Sequence, residues 1–192
     1  MNGMDIAERK AELRKAIRAA RRALSPEERD EAARSVAERL MRIGALLGAE
    51  YVLCYMPMKY ELDILPAVEM LKSRGVKAVF PLCIEDGGLR LFVPAEENGF
   101  KPGAYGILEP DPETAEEIGP EKLDAIILPA IGFDREGRRL GQGGGYYDRL
   151  LNKTDCLKIA VGFDCQLVGS VPVEETDRKV DIVVTPRETL MV

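Results

Sequence analysis

The segment Ala125-Ile126-Ile127-Leu128-Pro129, followed within ten residues by Arg138-Arg139-Leu140-Gly141-Gln142-Gly143-Gly144-Gly145-Tyr146-Tyr147-Asp148-Arg149, decides the fold. An unbroken apolar run stopped by proline reads as a strand buried on both faces of a parallel sheet. Four glycines in five positions, 141 and 143–145, then free the backbone for positive φ and for close approach to a ligand. A helix is predicted over 146–152. Successive amides in such a loop make an anion-binding nest, and the helix start adds its positive end. A glycine-rich tight turn that binds nothing is the plain alternative.

The flanking sequence extends the same pattern. Ile6, Leu13, Ile17, Ala20 and Leu24 form one stripe of an amphipathic helix over 5–24. Ser25-Pro26-Glu27-Glu28 is an N-cap, a first-turn proline and a capping-box acid, so a second helix should run to about Leu47. Strands are predicted at Tyr51–Met56, Val76–Leu82, Leu89–Val93, Ala125–Leu128, Leu157–Gly162 and Asp181–Val184. Asp63 caps a helix running to about Arg74, closed by Gly75. Glu85-Asp86-Gly87-Gly88 reads as a hairpin-like turn, and 94–121 as a long surface excursion with little regular structure. The expected class is α/β: an open, mostly parallel, Rossmann-like sheet flanked by helices, with two N-terminal helices and no second domain. In such folds ligands gather at the strands' carboxyl ends, so the loops 57–63, 130–145 and 163–180 should face one crevice.

Composition removes several chemistries. The 192 residues contain no histidine, which excludes Ser-His and Cys-His nucleophiles and imidazole metal sites. Cys54, Cys83, Cys156 and Cys165 show no Cys-x-x-Cys spacing; the first two lie in apolar runs and read as core thiols of a reducing compartment. Residues 1–48 carry 11 basic and 8 acidic side chains, whereas the remainder is acidic enough to bring the chain to −6. An acidic body argues against nucleic acid as the partner. No apolar run of membrane-spanning length or signal-peptide type is present, which points to a cytoplasmic protein.

Few residues are placed to do chemistry, and each has two readings. Lys10, Arg14 and Arg21 flank the apolar stripe of the first helix, either as snorkelling side chains or as cations overlooking a cleft. Asp148 either complements the helix dipole or holds Mg²⁺ together with substrate phosphates. Asp181 interrupts an apolar run, an expensive place for an unpartnered charge, and is a possible second carboxylate. Asp177 and Arg178 look like a surface pair. Glu61 is a solvated loop acid or an acceptor for a heterocycle's amino and ring N–H groups. The glycine loop is neither a P-loop nor a dinucleotide fingerprint.

The chain resembles the 5-formyltetrahydrofolate cyclo-ligase (methenyltetrahydrofolate synthetase) family. The motif that carries the likeness is Leu128-Pro129-Ala130-Ile131-Gly132-Phe133-Asp134, three residues, then Arg138 through Asp148. Lys10, Arg14, the segment 57–63, Gly106-Ile107-Leu108-Glu109-Pro110 and the segment 177–185 support it. The resemblance implies MgATP-dependent conversion of 5-formyltetrahydrofolate to 5,10-methenyltetrahydrofolate, with ADP and phosphate released. The formyl oxygen would attack the γ-phosphate, and N10 would close the ring on the resulting imino-phosphate. By position, Lys10, Arg14 and the run Arg139, Leu140, Gly141, Gln142, Gly143, Gly144, Gly145, Tyr146 and Tyr147 would bind ATP. Met56, Glu61, Gln142, Gly143, Gly144, Gly145 and Tyr146 would border the folate, Arg14 would also lie near it, and Tyr60 and Tyr147 would stack on rings. Asp148 and Asp181 would ligate Mg²⁺, and Arg14, Gln142 and Tyr147 would be the catalytic set. Some members carry an aromatic or basic residue where Gln142 stands and a lysine where Gly144 stands, so Lys10, Arg14, Arg139 and Arg149 must supply more of the charge here. The implied enzyme is a monomer or weak homodimer. Competing readings are a homologue that binds nucleotide without cyclising folate, a phosphometabolite enzyme on a similar scaffold, and a non-catalytic binding module.

Overall fold

The computed structural model describes residues 5–84, 87–95, 99–103, 107–174 and 177–192. Helix α1 (Ile6–Ala23) is followed by α2 (Pro26–Leu40), which starts as its sequence dictates. Ser25 Oγ accepts from the Glu28 amide at 3.2 Å, and the Ser25 amide donates to Glu28 Oε2 at 2.7 Å, satisfying two orphan donors. The expected single helix to Leu47 is broken: α2 stops at Leu40 and α3 (Gly44–Leu47) restarts separately. Arg42 and Ile43 donate three residues back, to Arg39 and Leu40, which tightens the turn, and Ile43 then swings to extended geometry.

The strands β1 (Tyr51–Leu53), β2 (Lys77–Cys83), β3 (Leu89–Val93), β4 (Phe100–Pro102), β5 (Leu108–Pro110) and β6 (Glu116–Ile118) follow, with α4 (Leu65–Lys72) between β1 and β2. Next come β7 (Ala125–Pro129), β8 (Gly132–Phe133), β9 (Arg139–Leu140), α5 (Tyr146–Leu151), β10 (Leu157–Val161), β11 (Ile182–Val184) and β12 (Thr189–Met191). Eight of them form one sheet in the order β12-β11-β10-β7-β1-β2-β3-β6. The five central strands are parallel, from β11 through β2, and the two edges are antiparallel. Chain order reverses between β1 and β7, since β2 lies on one side of β1 and β7, β10 and β11 on the other. That is a topological switch point, where a crevice opens at the carboxyl ends.

Alternate residues of these strands feed two cores. Val52, Ile127, Ile159 and Ile182 pack with α2 and α4, while Leu53, Ile126, Leu128 and Val183 pack with α5. Each such side chain is fully buried, a contribution of roughly 1.5–3 kcal/mol before entropy is set against it. A third cluster joins Ile17 of α1 to Ile131, Leu140 and Val171, seating that helix beside the residues that follow β7.

Three further expectations are corrected. The 94–121 excursion contains β4, β5 and β6, and β6 completes the main sheet against β3. The segment 130–145 is not all loop: β8 and β9 pair as a small hairpin just after β7. Strand β12 was not foreseen, because Thr189-Leu190-Met191 is too short to signal on periodicity. Glu85 and Asp86 of the expected turn, and Gly106 of the supporting motif, lie outside the described residues.

Candidate active site

A cavity of about 700 Å³ opens at the carboxyl ends of β2 and β7, where Pro81, Cys83, Pro129 and Ala130 form its base. The hairpin β8–β9 delivers Arg139 to its lining, and the glycine loop borders it as well. Gly143 has φ +112° and Gly145 φ +68°, conformations that a side chain would strain. Among the described residues no acceptor engages the amides of Gln142, Gly143, Gly144 and Gly145. Arg14 Nε holds the loop from above through the Gly141 carbonyl at 2.9 Å, and Arg149 Nη2 holds it from the side through the Gly144 carbonyl at 2.8 Å.

The cations are deployed unevenly. The Arg139 side chain is 4% exposed and donates through Nη2 to Asp148 Oδ1 at 2.8 Å, while its Nε is buried with no partner among the described residues. Leaving a buried guanidinium N–H unpaired is costly. Lys10, by contrast, is already matched, bonding Glu174 at 2.7 Å and Asp177 at 2.6 Å. Burial opposes its charge, but these two carboxylates outweigh burial and hold its pKa above the ordinary lysine value. Tyr147 has its ring beside the Arg139 guanidinium, 5.9 Å away; desolvation, then the Glu61 carboxylate, push its hydroxyl above the ordinary tyrosine range.

Glu61 stands at the rim. Its Oε2 accepts from the Met58 amide at 3.1 Å and its Oε1 from Gln142 Nε2 at 3.3 Å. The preceding residue, Tyr60, is in the left-handed region at φ +70°, which for an aromatic side chain costs on the order of 1–3 kcal/mol. Its carbonyl accepts from Arg21 Nε at 2.7 Å, and Arg29, Lys59 and Arg22 crowd its ring at 4.9, 5.2 and 5.9 Å. The surroundings therefore impose the turn that presents Glu61.

Most of the sequence-predicted residues converge. Lys10, Arg14, Glu61 and every residue from Arg139 to Asp148 line the one cavity, as the loops 57–63, 130–145 and 163–180 were expected to. Two do not. Met56 packs against the core and does not line it. Asp181 precedes β11 at the amino ends of the strands, where its Oδ2 accepts from the Lys158 amide at 2.7 Å, so the fold does not bring it to Asp148. Two carboxylates were missed: Glu174 and Asp177 both line the cavity. Asp177 is not paired with Arg178, which donates to Asn152 at 2.5 Å. The available signal was position, because Asp177 lies in a loop expected to face the crevice and Asp181 begins a strand. Cys83 is exposed at the cavity base rather than buried in the core, because β2 has run past the sheet's packed layers there.

Fold and site together define an α/β protein with a bare main-chain loop, carboxylates and arginines gathered round one cavity at the sheet's switch point. The model of the 5-formyltetrahydrofolate cyclo-ligase family matches residues 6–186, and the chain belongs to that family of enzymes. It is 34% identical over 175 residues to the Escherichia coli K12 5-formyltetrahydrofolate cyclo-ligase, covering 88% of this chain and 96% of that one. The Mycolicibacterium smegmatis cyclo-ligase is 30% identical, with 95% and 96% covered. Among solved structures, the Aquifex aeolicus 5,10-methenyltetrahydrofolate synthetase superposes with a TM-score of 0.85 at 33% identity, covering 95% of this chain and 92% of that one. The Mycoplasma pneumoniae synthetase superposes at 0.76 with 26% identity, covering 92% and 98%.

Proposed function

We propose that this protein uses ATP and Mg²⁺ to cyclise 5-formyltetrahydrofolate to 5,10-methenyltetrahydrofolate, releasing ADP and phosphate. The observation that carries the reading is the loop Gln142–Gly145: four amides without acceptors, beside an Arg139 Nε without a partner, in the cavity of a cyclo-ligase-family fold. A triphosphate supplies acceptors for the loop amides. In the reaction the formyl oxygen attacks the γ-phosphorus and ADP leaves. N10 then attacks the former formyl carbon, and that carbon's bond to the phosphate oxygen breaks. No protein nucleophile is required, so Arg14, Gln142 and Tyr147 act by orienting the reactants, and the Arg139 and Arg14 guanidiniums offset developing charge. Tyr147 keeps its proton at neutral pH and serves as a donor, not as a base.

The residues present fit a magnesium ion of the kind held mainly by phosphates. Among the described residues no three acidic or thiol groups cluster tightly enough to hold a metal unaided, and Mg²⁺ commonly needs only one or two carboxylates beside substrate oxygens and water. Asp148 and Asp177 are assigned to it, since both line the cavity; Asp181 is not. Bound there, the ion would neutralise β- and γ-phosphate charge. Glu61 is assigned to the amino edge of the pterin. The four free cysteines fit a reducing cytoplasm, and residues 1–192 are taken as one domain.

The test mixes protein, 5-formyltetrahydrofolate and MgATP, and follows methenyl absorbance alongside ADP. Equimolar appearance of both is expected. ADP without methenyl product would move the chain to a nucleotide-binding homologue with other chemistry.

A further inference from the structure

Arg149 reaches from α5 to a turn 62 residues earlier in the chain. Its Nε and Nη2 both donate to the Gly87 carbonyl, at 3.0 and 2.6 Å, and Nη2 also donates to the Gly144 carbonyl at 2.8 Å. Gly87 lies between β2 and β3, whose residues Cys83 and Leu89 line the cavity, and Gly144 lies in the glycine loop. The turn is itself held: the Gly87 amide donates to the Ile84 carbonyl at 3.0 Å, and the Ile84 amide to the Gly88 carbonyl at 3.1 Å. The guanidinium occupies a slot that leaves no room for a neighbouring side chain. Gly87 has φ +81° and Gly145 φ +68°, and a Cβ at either would lie 2.8 Å from a nitrogen of Arg149. The Tyr146 ring lies against the same group, 5.3 Å away. Among the described residues its hydrogen-bond acceptors are these two carbonyls, and no carboxylate pairs with it.

A trans peptide carries its C=O and N–H on opposite edges of one plane. A grip on the Gly144 carbonyl therefore points the Gly145 amide the other way, and Arg14 does the same to the Gln142 amide by gripping the Gly141 carbonyl at 2.9 Å. The loop's amides are thus aimed from both ends, by α1 at one and by Arg149 with its turn at the other. We infer that Arg149 is a positioning residue for the nucleotide, tying the glycine loop to the β2–β3 turn and so fixing the direction of the Gly145 amide. It acts through main-chain carbonyls and not by meeting phosphate as a charge. The inference rests on the ATP reading of that loop. Joining carbonyls from two segments needs the planar fork of donors that arginine has; lysine brings a single nitrogen.

The experiment measures KM for ATP and for 5-formyltetrahydrofolate in the wild type, Arg149→Lys, Arg149→Ala, Gly87→Ala and the double variant Arg149→Ala/Gly87→Ala. Thermal melting checks that each is folded, and Arg149→Lys, which keeps helix and charge, decides the matter should an alanine variant fail to fold. Both Arg149 variants should raise KM for ATP about tenfold, as the loss of one charge-assisted contact would. KM for the folate should stay within about twofold of the wild type. Gly87→Ala, whose Cβ displaces the guanidinium, should raise the same constant, and the double variant should be no worse than Arg149→Ala because both break one link. A wild-type KM for ATP in Arg149→Lys means that a point charge suffices and overturns the inference. Equal rises in both KM values, or additive effects in the double variant, overturn it too. If the wild type does not turn over the folate, the cyclo-ligase reading fails separately, and calorimetric Kd for MgATP applies the lysine and double-variant criteria. A wild type that binds no ATP overturns the inference outright.

Discussion

Asp148 and Asp134 are both acids next to arginines, yet they do different work. Asp148 is half-exposed, lines the cavity and neutralises Arg139. Its replacement by Asn should lower turnover by about 100-fold or more, the scale of losing one charge-stabilising group. Asp177→Asn should behave likewise, and Asp181→Asn should leave turnover near wild type; a rate series across the three checks which carboxylates serve the metal. Asp134 has no exposure at all. It accepts from the amides of Glu136, Arg138 and Val171 and from Arg138 Nε at 2.7 to 3.1 Å, pinning the hairpin to the loop that follows β10. Desolvation works against its charge, but those donors prevail and hold its pKa below the usual carboxylate value. Its stabilisation is thus present above the unfolded pKa and lost as pH falls through the depressed folded value. Asp134→Ala should cost about 3–5 kcal/mol in denaturant titrations at neutral pH, and Asp134→Asn should flatten the acid limb below about pH 4. Asp134 stood within the family motif, but only the structure separates a strut from a ligand. The distinction lies in partners drawn from 37 residues away, which local spacing does not encode.

The glycine loop is the element on which the proposed function turns, and its geometry was legible because glycine leaves so few alternatives. At Gly143 the nearest atom to an added Cβ is Arg14 Nη2 at 3.8 Å, so space is not the obstacle; the positive φ is. Gly143→Ala should therefore fold with a modest loss of stability, roughly 1–2 kcal/mol, while weakening ATP binding about tenfold or more. Paired melting and nucleotide titration would check that split, and unchanged affinity would dissociate the loop's shape from the ligand. The long α/β elements were equally readable, since apolar runs of strand length and paired caps leave little choice. The hairpin β8–β9 was not. Its strands are two residues each, and Asp134 rather than periodicity holds them in place. The break after Leu40 was missed for a related reason: it depends on where α2 meets the sheet, and Met41 is buried at that junction.

At the scale of the molecule, the switch between β1 and β7 gathers charges that the sequence scatters over some 165 residues, from Lys10 to Asp177. The same arrangement sorts the thiols. Burial pushes Cys54 up to about 12, whereas Cys83 sits exposed at the cavity base. A disulfide reagent at pH 8 should label Cys83 well before Cys54, and ATP or folate should protect Cys83; labelling indifferent to both ligands would place their sites elsewhere. The clasp of Lys10 on Glu174 and Asp177 carries a consequence of its own. It ties the first helix to a stretch that lies more than 160 residues downstream, so that a single wall of the chamber is assembled from two segments remote in the chain. A nascent chain cannot close this chamber until residue 177 has emerged, and a ligand held there can stabilise only a chain that has reached that point.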